Sequence, residues 1–80
     1  MNIQLIQGTF PSSDALFIIE QLIKVKISFH EQRISASDNE EDVKHRESRI
    51  KALQKELEAV RNEMLVNPRA VTITAEINTD

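Results

Sequence analysis

The chain contains no cysteine, tryptophan or tyrosine, and only one glycine and two prolines among its 80 residues. Without cysteine there is no disulfide and no thiolate metal site, and two histidines are too few for a closed structural zinc site unless carboxylates assist. A single glycine also excludes the glycine-rich loops that cradle phosphates in nucleotide-binding proteins. We therefore expect neither a metal nor any other cofactor.

The chain also lacks a long apolar run and a strong excess of one charge. Its net charge is −3, with acidic and basic residues interleaved. The longest apolar stretch, residues 15–29, is interrupted by Glu20, Lys24 and Lys26, so it is too charged to span a bilayer. Residues 1–13 contain no lysine or arginine, so they lack the basic segment of a secretory signal. We expect a cytoplasmic protein without a membrane partner.

The second half of the chain carries apolar residues at heptad spacing, which is typical of a helix that packs along another helix. Arg46 is the one position of this stripe that is not apolar. Ser37 and Asp38 each begin a capping-box pattern, and Asn67-Pro68 disfavours further helix, so the pattern predicts a helix over residues 38–66. The stripe consists of Val43, Ile50, Leu53, Leu57, Val60 and Met64.

A first helix is predicted over residues 13–34, with Ser12 or Ser13 as its cap. It is apolar over more than the one stripe that a single neighbour would bury. We assign its first seam to the core of a helical hairpin with the second helix, and its second seam to an oligomer interface with His30 at the rim. The first seam holds Ala15, Ile18, Leu22, Val25 and Phe29, of which the last four are assigned to the hairpin core; the second holds Leu16, Ile19, Ile23, Ile27, His30 and Ile34.

Two strands flank the helices. Residues 70–78 alternate apolar and polar side chains, which is the clearest strand pattern in the chain, while residues 2–10 alternate less regularly, and Gly8 suggests a bulge there. The chain is therefore predicted to be one small helix-dominated α+β domain of order β-α-α-β. We expect a coiled-coil-like antiparallel hairpin packed on a two-stranded antiparallel sheet, which a homodimer completes because two strands alone are marginally stable.

No catalytic motif is present, so the sequence favours a non-enzymatic structural or protein-interaction role, carried out as a homodimer through the helical hairpin. The identity of any other protein partner does not follow from the sequence. The alternative is a small nucleic-acid-associated regulator that uses the basic segment of the second helix. Nucleic acid is the less favoured partner because acidic residues flank this segment and the chain is acidic overall. The segment contains Lys44, Arg46, Arg49, Lys51 and Lys55.

Overall fold

The computed structural model describes residues 1–79 and has four elements in the predicted order. They are β1 (Asn2–Phe10), α1 (Ser12–Ala36), α2 (Glu40–Val66) and β2 (Val71–Asn78). The two helices pack on each other as a hairpin, and α1 contacts both strands of an antiparallel ribbon. The prediction of a helix-dominated α+β fold is confirmed, and the second strand starts one residue later than predicted.

Helix α1 extends beyond its predicted limits at both ends. Pro11 occupies the N-cap position without a side-chain cap, and its carbonyl accepts a hydrogen bond from the Ala15 amide at 2.9 Å. The expectation that Ser12 or Ser13 caps this helix was therefore wrong. At the other end, the Ser35 hydroxyl donates to the Glu31 carbonyl, and the helix continues to Ala36.

Helix α2 begins at Glu40, two residues later than predicted, because Asn39 is its cap. The Asn39 Oδ1 accepts hydrogen bonds from the amides of Glu41 (2.9 Å) and Asp42 (3.2 Å). Asparagine is among the best N-cap residues, because its short side chain satisfies amides that have no partner within the helix. Ser37 supports the linker instead, since its hydroxyl accepts a hydrogen bond from the Asn39 amide.

A bulge explains the irregular alternation of β1. The register shifts between Gln4 and Ile6, which leaves Leu5 as the extra residue. Because a one-residue insertion reverses the alternation of side chains, Ile3 returns to the face that Ile6 and Phe10 share. Gly8 was expected at a bulge but pairs regularly with Ile73. The Phe10 ring lies 3.5 Å from where a Gly8 Cβ would be.

The buried core is small for a chain of this length. Ile23 packs against Leu53 and Leu57, with Ile19 and Ile27 alongside, and Ala15 is also buried. The accessible surface is 6190 Å², whereas a compact monomer of 9.2 kDa exposes about 4,900 Å². The radius of gyration, 15.2 Å, likewise exceeds the value of about 12 Å for a compact domain. The molecule is flat, with extents of 44 × 36 × 13 Å.

Two leucines of α2 provide a matched test of this core. Leu57 is buried, whereas Leu65 is 76% exposed. Leu57→Ala should lower the free energy of unfolding by about 2–4 kcal/mol, because it removes buried methyl groups and leaves a cavity. Leu65→Ala should change it by less than about 0.5 kcal/mol. Urea denaturation followed by circular dichroism measures both, and equal losses would contradict this packing.

Candidate interaction surface

The seam of α1 that packs on α2 is the second one, whereas the sequence suggested the first. The second seam, predicted as an oligomer interface, faces α2: Ile23 is 9% exposed and contacts Leu53 and Leu57. The rest of that seam is half-buried: Leu16, Ile19, Ile27, His30 and Ile34. The first seam, predicted as hairpin core, contains Val25 at 68% and Phe29 at 48% exposure, with Ile18 and Leu22 half-buried and Ala15 buried. We call Ile18, Leu22, Val25 and Phe29 the outer seam.

On α2, the centre of the heptad stripe faces α1. Leu53 and Leu57 belong to the buried cluster. Toward the two ends of the helix the stripe is only half-buried, at Val43, Ile50, Val60 and Met64. The assignment of this stripe to the hairpin was therefore correct at its centre, and the error concerned which seam of α1 meets it.

Polar side chains explain why α2 packs on the second seam. Arg46 interrupts the apolar stripe, and its guanidinium needs acceptors when it is held between helices. The second seam supplies one, because His30 Nδ1 lies 3.1 Å from Arg46 Nη1. Asp42 supplies another, since its Oδ2 accepts from Arg46 Nε at 3.3 Å.

A second polar contact joins the helices farther from the turn. Glu20, which flanks the second seam, forms an ion pair with Arg61 of α2. The hydrogen bond from Arg61 lowers the pKa of Glu20. Because Glu20 and His30 both lie beside the second seam, packing on the first seam would leave Arg61 and Arg46 without these partners. The positions of Glu20 and His30 beside one seam could have indicated this packing from the sequence, but the prediction did not use them.

The end of the hairpin near the turn carries a cluster of aromatic and basic groups. The Phe29 and His30 rings meet edge to face, with centroids 5.9 Å apart. The guanidinium carbons of Arg33 and Arg46 lie 5.1 Å and 5.9 Å from the centroid of Phe29. Phe29 is therefore held beside α2 by cation–π contacts while its outer side remains in solvent.

His30 is the titratable group of this cluster. Arginine can only donate hydrogen bonds, so His30 Nδ1 accepts from Arg46, and the proton of the neutral ring is on Nε2. Desolvation in the hairpin lowers the pKa of His30 below its ordinary value of about 6.5, and the charges of Arg46, Arg49, Lys26 and His45 lower it further. The neutral ring is the form that this contact stabilises.

The basic residues of α2 are not gathered on one face. Arg46 lies within the hairpin, and Arg49 lines a cleft between the helices. Lys44, Lys51 and Lys55 are exposed, and their spacing of seven and four residues places them together on the opposite side of α2. Glu47 and Glu58 flank these lysines on the helix surface. The basic segment thus divides into two sets.

Within residues 1–79, no group of three or more histidine, aspartate or glutamate side chains is positioned to hold a metal ion. Neither helix has a stretch long and apolar enough to cross a membrane. Comparison with protein-family models, with curated proteins and with solved structures gives no match to this chain. The outer seam, the aromatic and basic cluster and the two sets of basic residues are therefore the features from which a function can be proposed.

The His30 contact predicts how stability depends on pH. Because the folded-state pKa is lowered, its contribution is present above about pH 6.5 and is lost as the pH falls through the folded-state value. Wild-type protein should lose more stability between pH 7.5 and pH 5.5 than His30→Asn, which keeps an acceptor for Arg46 but does not titrate. Urea midpoints at both pH values measure this. His45→Asn, the control, should retain the wild-type dependence; a wild-type slope in His30→Asn would disprove the contact.

Proposed function

We propose that this chain is a non-enzymatic structural or protein-interaction protein that acts as a homodimer through its helical hairpin. The observation that supports the proposal is the excess of exposed surface. The chain exposes about 1,300 Å² more than a compact monomer of its mass. A standard stable interface buries about 800 Å² on each partner, so the excess is large enough to supply one such interface with a second copy.

The contact surface that we propose is the outer seam of α1. Its apolar side chains lie along one face of the longest apolar stretch in the chain. Val25 and Phe29 are exposed there, and Ile18 and Leu22 are half-buried. A second hairpin packed on this seam would form a four-helix arrangement with an apolar centre. This places the interface on Ile18, Leu22, Val25 and Phe29 and replaces the seam that the sequence alone suggested.

The ribbon is the second surface that a partner copy would complete. It has two strands only, so each has one edge of unpaired backbone groups, and such ribbons are marginal alone. Its outer end also exposes Ile3, Leu5 and Ile77. We propose that pairing with the ribbon of the second copy forms a four-stranded sheet. A cytoplasmic location is part of this proposal, because the dimer needs no disulfide.

The dimer can be tested at Val25, where a substitution does not disturb the hairpin. Light scattering should report twice the chain mass for wild-type protein at tens of micromolar. Val25→Asp should be a folded monomer, with a dissociation constant raised by about a hundredfold or more, because an unpaired carboxylate in an apolar contact costs several kcal/mol. Circular dichroism checks that its helix content is unchanged.

The matched control introduces the same charge elsewhere. Ser48 is exposed on α2, on the side away from α1, so Ser48→Asp should dimerise like wild-type protein. Either a folded wild-type monomer at these concentrations or a Val25→Asp variant that dimerises normally would refute the proposed interface.

The nucleic-acid alternative predicts a different outcome. With the basic segment divided between two faces and flanked by glutamates, duplex DNA or RNA should show no mobility shift with micromolar protein at about 50 mM salt, where phosphate contacts are strongest. Binding that weakens steeply with salt and disappears in a Lys44→Glu/Lys51→Glu variant would favour the regulator. These two lysines are exposed, so the variant leaves the hairpin intact.

A further inference from the structure

A cleft of about 170 Å³ opens between α1 and α2, near the middle of the hairpin. Lys26 and His30, one helical turn apart, line it from α1, and Arg49 and Glu56 line it from α2. Ala52 and Leu53 complete the lining. Two positive side chains from different helices therefore line the same partly enclosed, partly apolar space.

The charges of this cleft are unbalanced. Three ion pairs join residues of the described chain, and neither Lys26 nor Arg49 takes part in them. Glu56 is the one acidic side chain of the lining. Arg46, behind His30, already has Asp42 as its partner. Two permanent cations thus face one carboxylate, which leaves one positive charge uncompensated.

His30, which also lines the cleft, carries a further donor. Its Nδ1 is occupied by Arg46, so the proton of the neutral ring is on Nε2, the opposite side of the imidazole. The contact with Arg46 fixes both the tautomer and the orientation of the ring. The cleft therefore combines an ammonium group, a guanidinium group and an imidazole N–H, which are all donors that oxyanions accept from.

We propose that this cleft binds a small oxyanion, and that its ligand is a phosphate group, either free or on a small phosphomonoester. Lys26 and Arg49 supply the charge, and His30 Nε2 donates a hydrogen bond. Desolvation and the neighbouring positive charges lower the pKa of His30, and a bound anion would offset the effect of those charges. Binding should therefore raise the pKa of His30, in the direction opposite to that of the free protein.

Inorganic phosphate, titrated at constant ionic strength against chloride, tests the site. Nuclear magnetic resonance of the two imidazoles should show a saturable shift and a raised pKa for His30. His45, which is not part of the cleft lining, should change little and is the internal control. A parallel titration with methyl phosphate distinguishes the two ligand sources: weaker binding than phosphate indicates the free ion, and equal or tighter binding indicates the ester.

Variants connect the response to the cleft. Lys26→Ala and Arg49→Ala should each weaken phosphate binding about tenfold, as expected for loss of a charged hydrogen bond. Lys44→Ala and Lys51→Ala remove the same charge on the opposite face and should have no effect. Glu56→Gln should tighten binding severalfold, because it removes the carboxylate that repels the anion.

Three results would overturn the proposal. The first is an equal or non-saturating shift of both histidines, which indicates general screening by the anion. The second is phosphate binding that Lys26→Ala and Arg49→Ala leave unchanged. The third is binding of a short DNA duplex at concentrations far below those at which phosphate acts, with loss of that binding in Lys26→Ala, which would identify a polyanion as the ligand.

Discussion

Arg46 occupies a position where the apolar stripe of α2 would otherwise continue, and the hairpin is arranged around its guanidinium. A charged group between two helices is tolerated only when its donors find acceptors. Asp42 on the same helix and His30 on α1 provide them. Packing of α2 on the face of α1 that carries His30 meets this requirement. It also fixes the tautomer of His30, positions Phe29 beside α2 and leaves Arg49 and Lys26 to line the adjacent cleft.

The polar side chains between the two helices have hydrogen-bond partners, but few apolar side chains of the hairpin are buried. Few large side chains are enclosed, and the chain exposes far more surface than a compact protein of its mass. Since the hydrophobic contribution to stability grows with buried apolar area, a single copy has little with which to offset the entropy of ordering its chain. The same limited burial leaves the outer seam and the outer end of the ribbon open. A second copy is consistent with both features.

The proposed dimer and the proposed anion site use different parts of the hairpin but share its geometry. Lys26 is flanked along α1 by Leu22 and Phe29, at spacings of four and three residues, so the cleft borders the outer seam. The cleft depends on the pairing of α1 with α2 within one chain, whereas the interface depends on what α1 presents outward. Each can therefore be present without the other.

The sequence by itself determined the order of elements, the extents of β1 and α2 to within two residues, the end of α2 before Asn67-Pro68 and the stripe that α2 buries. These follow from local signals: periodicity, capping residues and proline. It did not determine the seam of α1 that is buried, because both seams have the spacing and apolarity of a packed face. It did not locate the cap at Asn39 either, although this cap is local and bonds the amides of Glu41 and Asp42. Nor did it locate the bulge at Leu5 or the cleft that Lys26 and Arg49 line. The bulge and the cleft depend on residues distant in the chain, as do the contacts of Arg46 with His30 and of Arg61 with Glu20, and only the tertiary structure brings these residues together.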